Sequence, residues 1–294
     1  MDKNRVFEEK IENKVLYHYT TLETFFSIVK SGEFRLFDIT KSNDPLEGKF
    51  AINALAEAYR ELYGDEEINN EEYHVAHASF FQFECNNDSS KKRTCNLYAA
   101  ASFCDTKHEM TMLRCYANNG KGVAIGFSGS KLVSLVEKTP GMEFRKIEYL
   151  TDEEMKARAR KFWLDYFGTC NGQLPCISDE KAMEPLVEKI EEFAHEGYFI
   201  KHIVNKDEEE YRLLYCKKKL FKIRIFSKDV EDKIDFICES NDIKTYYTIP
   251  INCVINDVYI GPASDVTPAE MRAFLDKYKI EVNYPGKITW VSMK

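Results

Sequence analysis

Residues able to do chemistry fall in separate parts of the chain. His18 stands in the run Leu16-Tyr17-His18-Tyr19-Thr20, whose apolar and aromatic character reads as a strand. Alternation along a strand puts His18 on one face with Leu16 and Thr20, and Tyr17 and Tyr19 on the other. A histidine there can hold a ligand. Spacing alone favours the plainer role of a half-buried imidazole bonded to a backbone carbonyl. Asn43, Asp44 and Glu47 offer an amide and two carboxylates beside a helix start. Each also has a local structural task, with Asn43 or Asp44 as cap, Pro45 in the first turn and Glu47 favoured by the dipole. Lys201-His202 is followed by Glu208, Glu209, Glu210 and Arg212. If a strand begins at Glu210, then Glu210 and Arg212 share a face, and Glu208 joins them if it begins earlier. An arginine so placed can grip a carboxylate bidentately and keep it ionised.

Other chemistries lack their spacing. His74 and His77 lie three apart while His108 and His195 are isolated, and none has a carboxylate or cysteine at zinc-ligand spacing, so no metal is expected. Asn119-Gly120-Lys121-Gly122 is a turn without the Walker spacing, and Gly126-Phe127-Ser128-Gly129-Ser130 only approaches a nucleophile elbow. The 9 cysteines are odd in number and contain no Cys-x-x-Cys pair. Cys104, Cys216, Cys238 and Cys253 sit in apolar, strand-like surroundings, where a reduced thiol behaves as a small hydrophobe.

The elements that must position these groups are readable in outline. Val15 to Tyr19 is a first strand, Thr20 or Thr21 caps a helix, and Leu22, Phe25, Phe26 and Val29 form its buried stripe. Gly32 stops this helix before a strand from Phe34 to Asp38. A longer helix is expected from Leu46 to Tyr63, whereas Tyr73 to Phe83 fits helix or strand equally. Strands follow at Tyr98–Cys104 and Val123–Phe127, with a short helix over Met110–Ala117 between them. Helical composition marks Ser130–Glu137, Asp152–Phe167 and Asp179–Ile200, with one strand over Glu143–Leu150. The last third is β-rich at Tyr211–Cys216, Leu220–Phe226, Ile234–Cys238, Thr245–Ile249 and Val254–Ile260. Thr267-Pro268 then starts a helix to Tyr278, and Ile288–Val291 is a candidate final strand. The expectation is one α+β domain over 1–294, a mixed or antiparallel sheet core with helices, carrying a mostly helical insertion at about 151–200.

Bulk properties narrow the class. The 294 residues carry 41 Lys plus Arg against 49 Asp plus Glu, a net charge of −8. That balance does not indicate nucleic acid as a partner, although Lys91-Lys92-Arg93 and Lys217-Lys218-Lys219 are local basic spots. With 20 Phe and 17 Tyr there is ample apolar surface to offset the entropy of ordering. No apolar run approaches the roughly 20 residues that span a bilayer. Met1 to Lys10 is charged and lacks the apolar core of a secretory signal, so a cytoplasmic protein without membrane partners is expected.

The order of these signals is more specific than any one of them. Leu16-Tyr17-His18-Tyr19-Thr20-Thr21-Leu22-Glu23, Ile28 to Gly32 and Asn43-Asp44-Pro45-x-Glu47 resemble the opening of the bacterial family called domain of unknown function 2971. The likeness continues at Ser102-Phe103-Cys104, Met112 to Ala117 and Gly120-Lys121-Gly122-Val123-Ala124-Ile125-Gly126-Phe127. Lys201-His202, the Glu208-x-Glu210-x-Arg212 set and Tyr259-Ile260-Gly261-Pro262 complete it. Leu113 departs from it, standing where a tryptophan is expected beside the methionine.

The opening also looks like that of ADP-ribosyltransferases: a strand ending in His-Tyr-Thr, an apolar helix, a glycine, then a second strand. That resemblance implies an ADP-ribosyltransferase-like fold and NAD as substrate. His18 would hold a ribose, with Tyr19, Thr20, Asn43 and Asp44 also facing the ligand. Glu210 would be the catalytic glutamate, with Glu208 as its rival. Tyr19 or Tyr116 would stack on nicotinamide, and Arg35, Lys41, Arg114 or Arg212 would meet the diphosphate. Implied with it are a toxin or phage-defence role and an acceptor that the sequence does not name. Two other readings compete: a nucleotide-sensing module without turnover, and a metal-dependent nuclease or hydrolase built from His18, Asp44, Glu47 and Glu210.

Overall fold

The computed structural model describes residues 11–39, 42, 44, 46, 48–63, 97–106, 110–169, 180–217, 234–239, 242–251 and 254–288. Strand β1 (Val15–Thr20) leads into helix α1 (Leu22–Ser31), and both ends of that helix are set by sequence. Thr21 Oγ1 accepts the Thr24 N–H at 3.2 Å, and Gly32 turns out of the helix at φ 72° with its N–H on the Ile28 carbonyl. Then come β2 (Glu33–Asp38), α2 (Phe50–Tyr63), β3 (Leu97–Phe103), α3 (Met110–Cys115), β4 (Val123–Ser128) and α4 (Gly129–Lys138). They are followed by β5 (Met142–Lys146), β6 (Glu148–Leu150), α5 (Asp152–Thr169), α6 (Glu180–Gly197) and β7 (Ile200–His202). A 3-10 helix (Ile203–Glu208) precedes β8 (Tyr211–Lys217), β9 (Ile234–Glu239), β10 (Asp242–Pro250) and β11 (Ile255–Ile260). Helix α7 (Pro268–Lys277) and strand β12 (Tyr284–Lys287) end the described chain. A capping box starts α7, in which Thr267 and Glu270 satisfy each other's backbone N–H groups and Pro268 takes the first turn.

The chain is α+β and divides into two compact units, one of Met1–Lys41, Leu97–Lys146 and Asp207–Lys294, the other of Ser42–Asn96 and Ile147–Lys206. In the first unit, the described strands form a mixed sheet ordered β1-β4-β11-β12 and an antiparallel sheet ordered β5-β8-β3-β2-β10-β9. In the mixed sheet, β11 and β12 run parallel while the other pairs are antiparallel. The two sheets share one apolar core: Leu16, Ile125, Phe127 and Val258 from the first meet Phe34, Leu36, Phe103 and Leu213 from the second. Just past β3 the chain crosses between them, because Cys104 exchanges both backbone hydrogen bonds with Tyr17 of β1, at 2.7 and 3.0 Å. That crossing brings the ends of β1 and β3 together. Gly122, at the start of β4, packs where a Cβ would lie 2.2 Å from the Thr20 carbonyl oxygen, so only glycine fits beneath the end of β1.

In the second unit, α2, α5 and α6 pack around a separate core. Met155, Ala159, Trp163 and Phe167 recur every fourth residue along α5, facing Ala51, Ala54, Leu55 and Ala58 of α2. The buried Trp163 indole donates to the Leu55 carbonyl at 2.8 Å. Strands β6 and β7 pair in parallel beside these helices.

Several boundaries differ from the sequence expectation for physical reasons. The helix expected from Leu46 begins at Phe50, because Asp44 Oδ1 accepts the Leu46 N–H and holds a turn there. The single strand expected over 143–150 is two strands in different sheets, β5 with β8 and β6 with β7. The alternation changes phase there, from Met142 and Phe144 to Ile147 and Tyr149, which marks the break at Ile147. The final strand lies at Tyr284–Lys287, ahead of the expected 288–291. Its Pro285 and Gly286 suppress the strand signal, and Pro is tolerated because β12 is an edge. Tyr73–Phe83 and Leu220–Phe226 lie outside the described residues. No helix among the described residues is long and apolar enough to cross a membrane.

Candidate functional site

His18 lies on the core-facing side of β1, partly exposed. Its ring meets Phe34 edge-on with centroids 4.9 Å apart and lies 5.9 Å from Phe103. Nδ1 is 2.9 Å from the Ser102 carbonyl oxygen. A carbonyl only accepts, so Nδ1 carries the hydrogen, and in the neutral ring Nε2 is left as a lone-pair acceptor. Burial among the two phenylalanines pulls the imidazole below its ordinary value of 6.5, and the Ser102 hydrogen bond opposes this only in part.

The depressed value has a consequence for stability. The folded chain resists protonation of His18, whereas the unfolded chain accepts a proton near 6.5. Between the folded value and 6.5 the unfolded state binds more protons, so stability rises with pH across that window. The contribution is therefore intact above 6.5 and is lost as pH falls. Asn in place of His18 keeps a donor for the Ser102 carbonyl but does not titrate. Urea midpoints measured on either side of pH 6.5 are expected to fall less in His18→Asn than in the parent chain.

In the β3–β8 register Ser102 lies opposite Arg212. The Ser102 hydroxyl donates to Glu210 Oε1 at 2.7 Å. Arg212 Nε donates to the same oxygen at 2.8 Å, and its Nη2 lies 2.8 Å away as well. The arginine thus converges on one carboxylate oxygen instead of bridging two, as the bidentate expectation had it. Both side chains are 1% exposed. Glu208 ends the 3-10 helix and is half-buried, and Glu209 between the two acids sits at φ 42°, in the left-handed region. That kink ends the helical turn and starts β8 two residues later.

Ser102 is therefore where the proposed site residues meet: its carbonyl holds His18 and its hydroxyl holds Glu210. As a residue with a role of its own it was missed from sequence. The available hint was a lone hydroxyl in the otherwise apolar run Ala99-Ala100-Ala101-Ser102-Phe103.

The remaining candidates are placed differently. Tyr19 points from the opposite face of β1, packed with Cys104, Met112, Leu113 and Ala124, and its hydroxyl donates to the Thr106 carbonyl at 2.6 Å. Thr20 is buried at the end of β1, and Tyr116 follows α3 with 40% of its surface exposed. Asp44 belongs to the second unit, where it accepts from the Leu46 N–H and from Asn205 Nδ2 at 3.3 Å. Asn43 and Glu47 lie outside the described residues. His202, also in the second unit, accepts the Val204 N–H on Nδ1 at 3.3 Å and stands edge-on to Phe50, with Asp152 at 3.7 Å. Among the described residues, no group of three or more His, Cys, Asp or Glu is arranged to hold a metal ion. Cys104 and Cys216 are buried, and the Cys104 thiol lies 3.2 Å from the Thr106 carbonyl oxygen.

No curated protein matches the chain. Residues 112–213, which take in Glu208, Glu210 and Arg212 but not His18, match the model of a family described as "Protein of unknown function (DUF2971)".

Proposed function

We propose that the chain binds NAD at the His18 site and consumes it, as an ADP-ribosyltransferase or an NAD glycohydrolase. The observation that carries this reading is that one residue, Ser102, accepts from His18 Nδ1, leaving Nε2 as an acceptor, and also holds a carboxylate gripped by an arginine. The neutral Nε2 suits a ribose hydroxyl, which donates. Heterolysis of the ribose–nicotinamide bond sends its electron pair to the ring nitrogen, cancelling the positive charge of the leaving group. No strong general acid is needed. The ribose becomes oxocarbenium-like, as in glycoside cleavage, and the half-buried Glu208 carboxylate stabilises that charge, while the buried Glu210 acts through Ser102. Water or a macromolecular nucleophile then adds to the ribose and loses its proton. Of the two tyrosines considered for stacking, Tyr116 offers exposed ring surface and Tyr19 does not.

No metal enters this scheme, which sets its test. Incubation with NAD is expected to release nicotinamide at the same rate with and without a chelator. Glu208→Gln, which keeps the shape but removes the charge, is expected to abolish release. Saturable binding without release would instead make the protein a nucleotide sensor, and chelator-sensitive cleavage of nucleic acid would make it a nuclease.

A further inference from the structure

Three donor atoms converge on Glu210 Oε1: the Ser102 hydroxyl at 2.7 Å, and Arg212 Nε and Nη2 at 2.8 Å each. A carboxylate oxygen has about two lone-pair sites, so this oxygen has no capacity left for a ligand hydroxyl. With 1% of the residue exposed, a ligand arriving from solvent does not reach it. Yet Glu210 is bonded to the one residue whose carbonyl sets the His18 tautomer. We infer that Glu210 is a positioning residue for His18: with Arg212 it fixes the Ser102 side chain, and Ser102 in turn presents its carbonyl to Nδ1 so that Nε2 stays an acceptor. Ser102 uses both of its polar oxygens for this, the hydroxyl on Glu210 and the carbonyl on His18.

The geometry explains why an ion pair with almost no exposure is built beside a partly exposed histidine. The guanidinium lies on β8 and the carboxylate on the residue just before it, and Ser102 is held opposite Arg212 by the strand register. The crossing at Cys104 then carries the Ser102 carbonyl to β1. Positional order thus passes from a buried pair, where motion is small, to a ring at the edge of the core. The role rests on the proposed function only in taking Nε2 as the ligand-facing atom, and its test does not need NAD.

The test is the pair of ring nitrogen signals of His18, read by nitrogen-15 nuclear magnetic resonance at neutral pH. In the parent chain Nδ1 is expected to appear protonated and Nε2 bare. Ser102→Ala cuts the link while leaving the Glu210–Arg212 pair intact and a backbone carbonyl at position 102 that is no longer held by that pair. It is expected to turn His18 into a mixture of both tautomers, while Ser102→Thr, which keeps the hydroxyl, restores the single form. A parent ring that is protonated on Nε2, or a Ser102→Ala ring that stays wholly Nδ1-protonated, overturns the inference. If the signals behave as expected but no nicotinamide is released from NAD, the positioning role stands and the NAD reading falls.

Discussion

Arg212→Met is expected to destabilise the first unit by about 3–5 kcal/mol, the cost of breaking a buried ion pair from one side. Glu210 and Arg212 are both 1% exposed, so water cannot replace the lost partner. In the variant, the carboxylate keeps the Ser102 hydroxyl but loses both guanidinium nitrogens. A charge in that setting costs far more than the loss of one hydrogen bond, whose net worth is about 1 kcal/mol. The double variant Glu210→Gln with Arg212→Met removes the charge as well, and is expected to regain most of the loss. Urea unfolding of the three proteins checks this through the order of their midpoints. A single variant as stable as its parent would mean that the pair is not enclosed as described. Arg212→Lys is expected to fall between, because an ammonium supplies charge without the two fixed nitrogens that meet Oε1.

The second large effect concerns the histidine. His18→Phe is expected to lower nicotinamide release by about 10²-fold or more, the scale lost when a reacting group is no longer held in place. Phe fills the space beside Phe34 and Phe103 and therefore keeps the packing, whereas Ala leaves a cavity. The substitution removes both ring nitrogens, and with them the acceptor for a ribose hydroxyl. Comparing turnover with urea midpoint separates the two roles. Loss of release at unchanged stability assigns the effect to the ligand, while parallel losses assign it to the fold. Release unchanged in His18→Phe would remove His18 from the site.

Much of the frame was legible in the sequence because local signals agree with the tertiary structure. The β1–α1–β2 opening needs only a period-two run, a threonine cap at Thr21, a buried stripe on the helix and the left-handed Gly32. The shared face of Glu210 and Arg212 follows from strand alternation alone. What joins them to His18 is not local. Ser102 reaches Glu210 across 108 residues of sequence and His18 across 84, through the β3–β8 register and the crossing at Cys104. No periodicity encodes such a register, because it is chosen by the packing of both sheets on one core. The break between β5 and β6, by contrast, was legible as a phase shift of the alternation between Phe144 and Ile147. Asp44 is a second local case, since its bond to the Leu46 N–H is the turn that an Asn-Asp-Pro sequence encodes locally.

Release of nicotinamide from NAD, followed in the parent chain with and without a chelator and in His18→Phe, bears most directly on the claim that the Ser102-linked site consumes NAD. Chelator-insensitive release by the parent, lost in His18→Phe, is the predicted result. A folded parent chain that releases no nicotinamide at saturating NAD would contradict it.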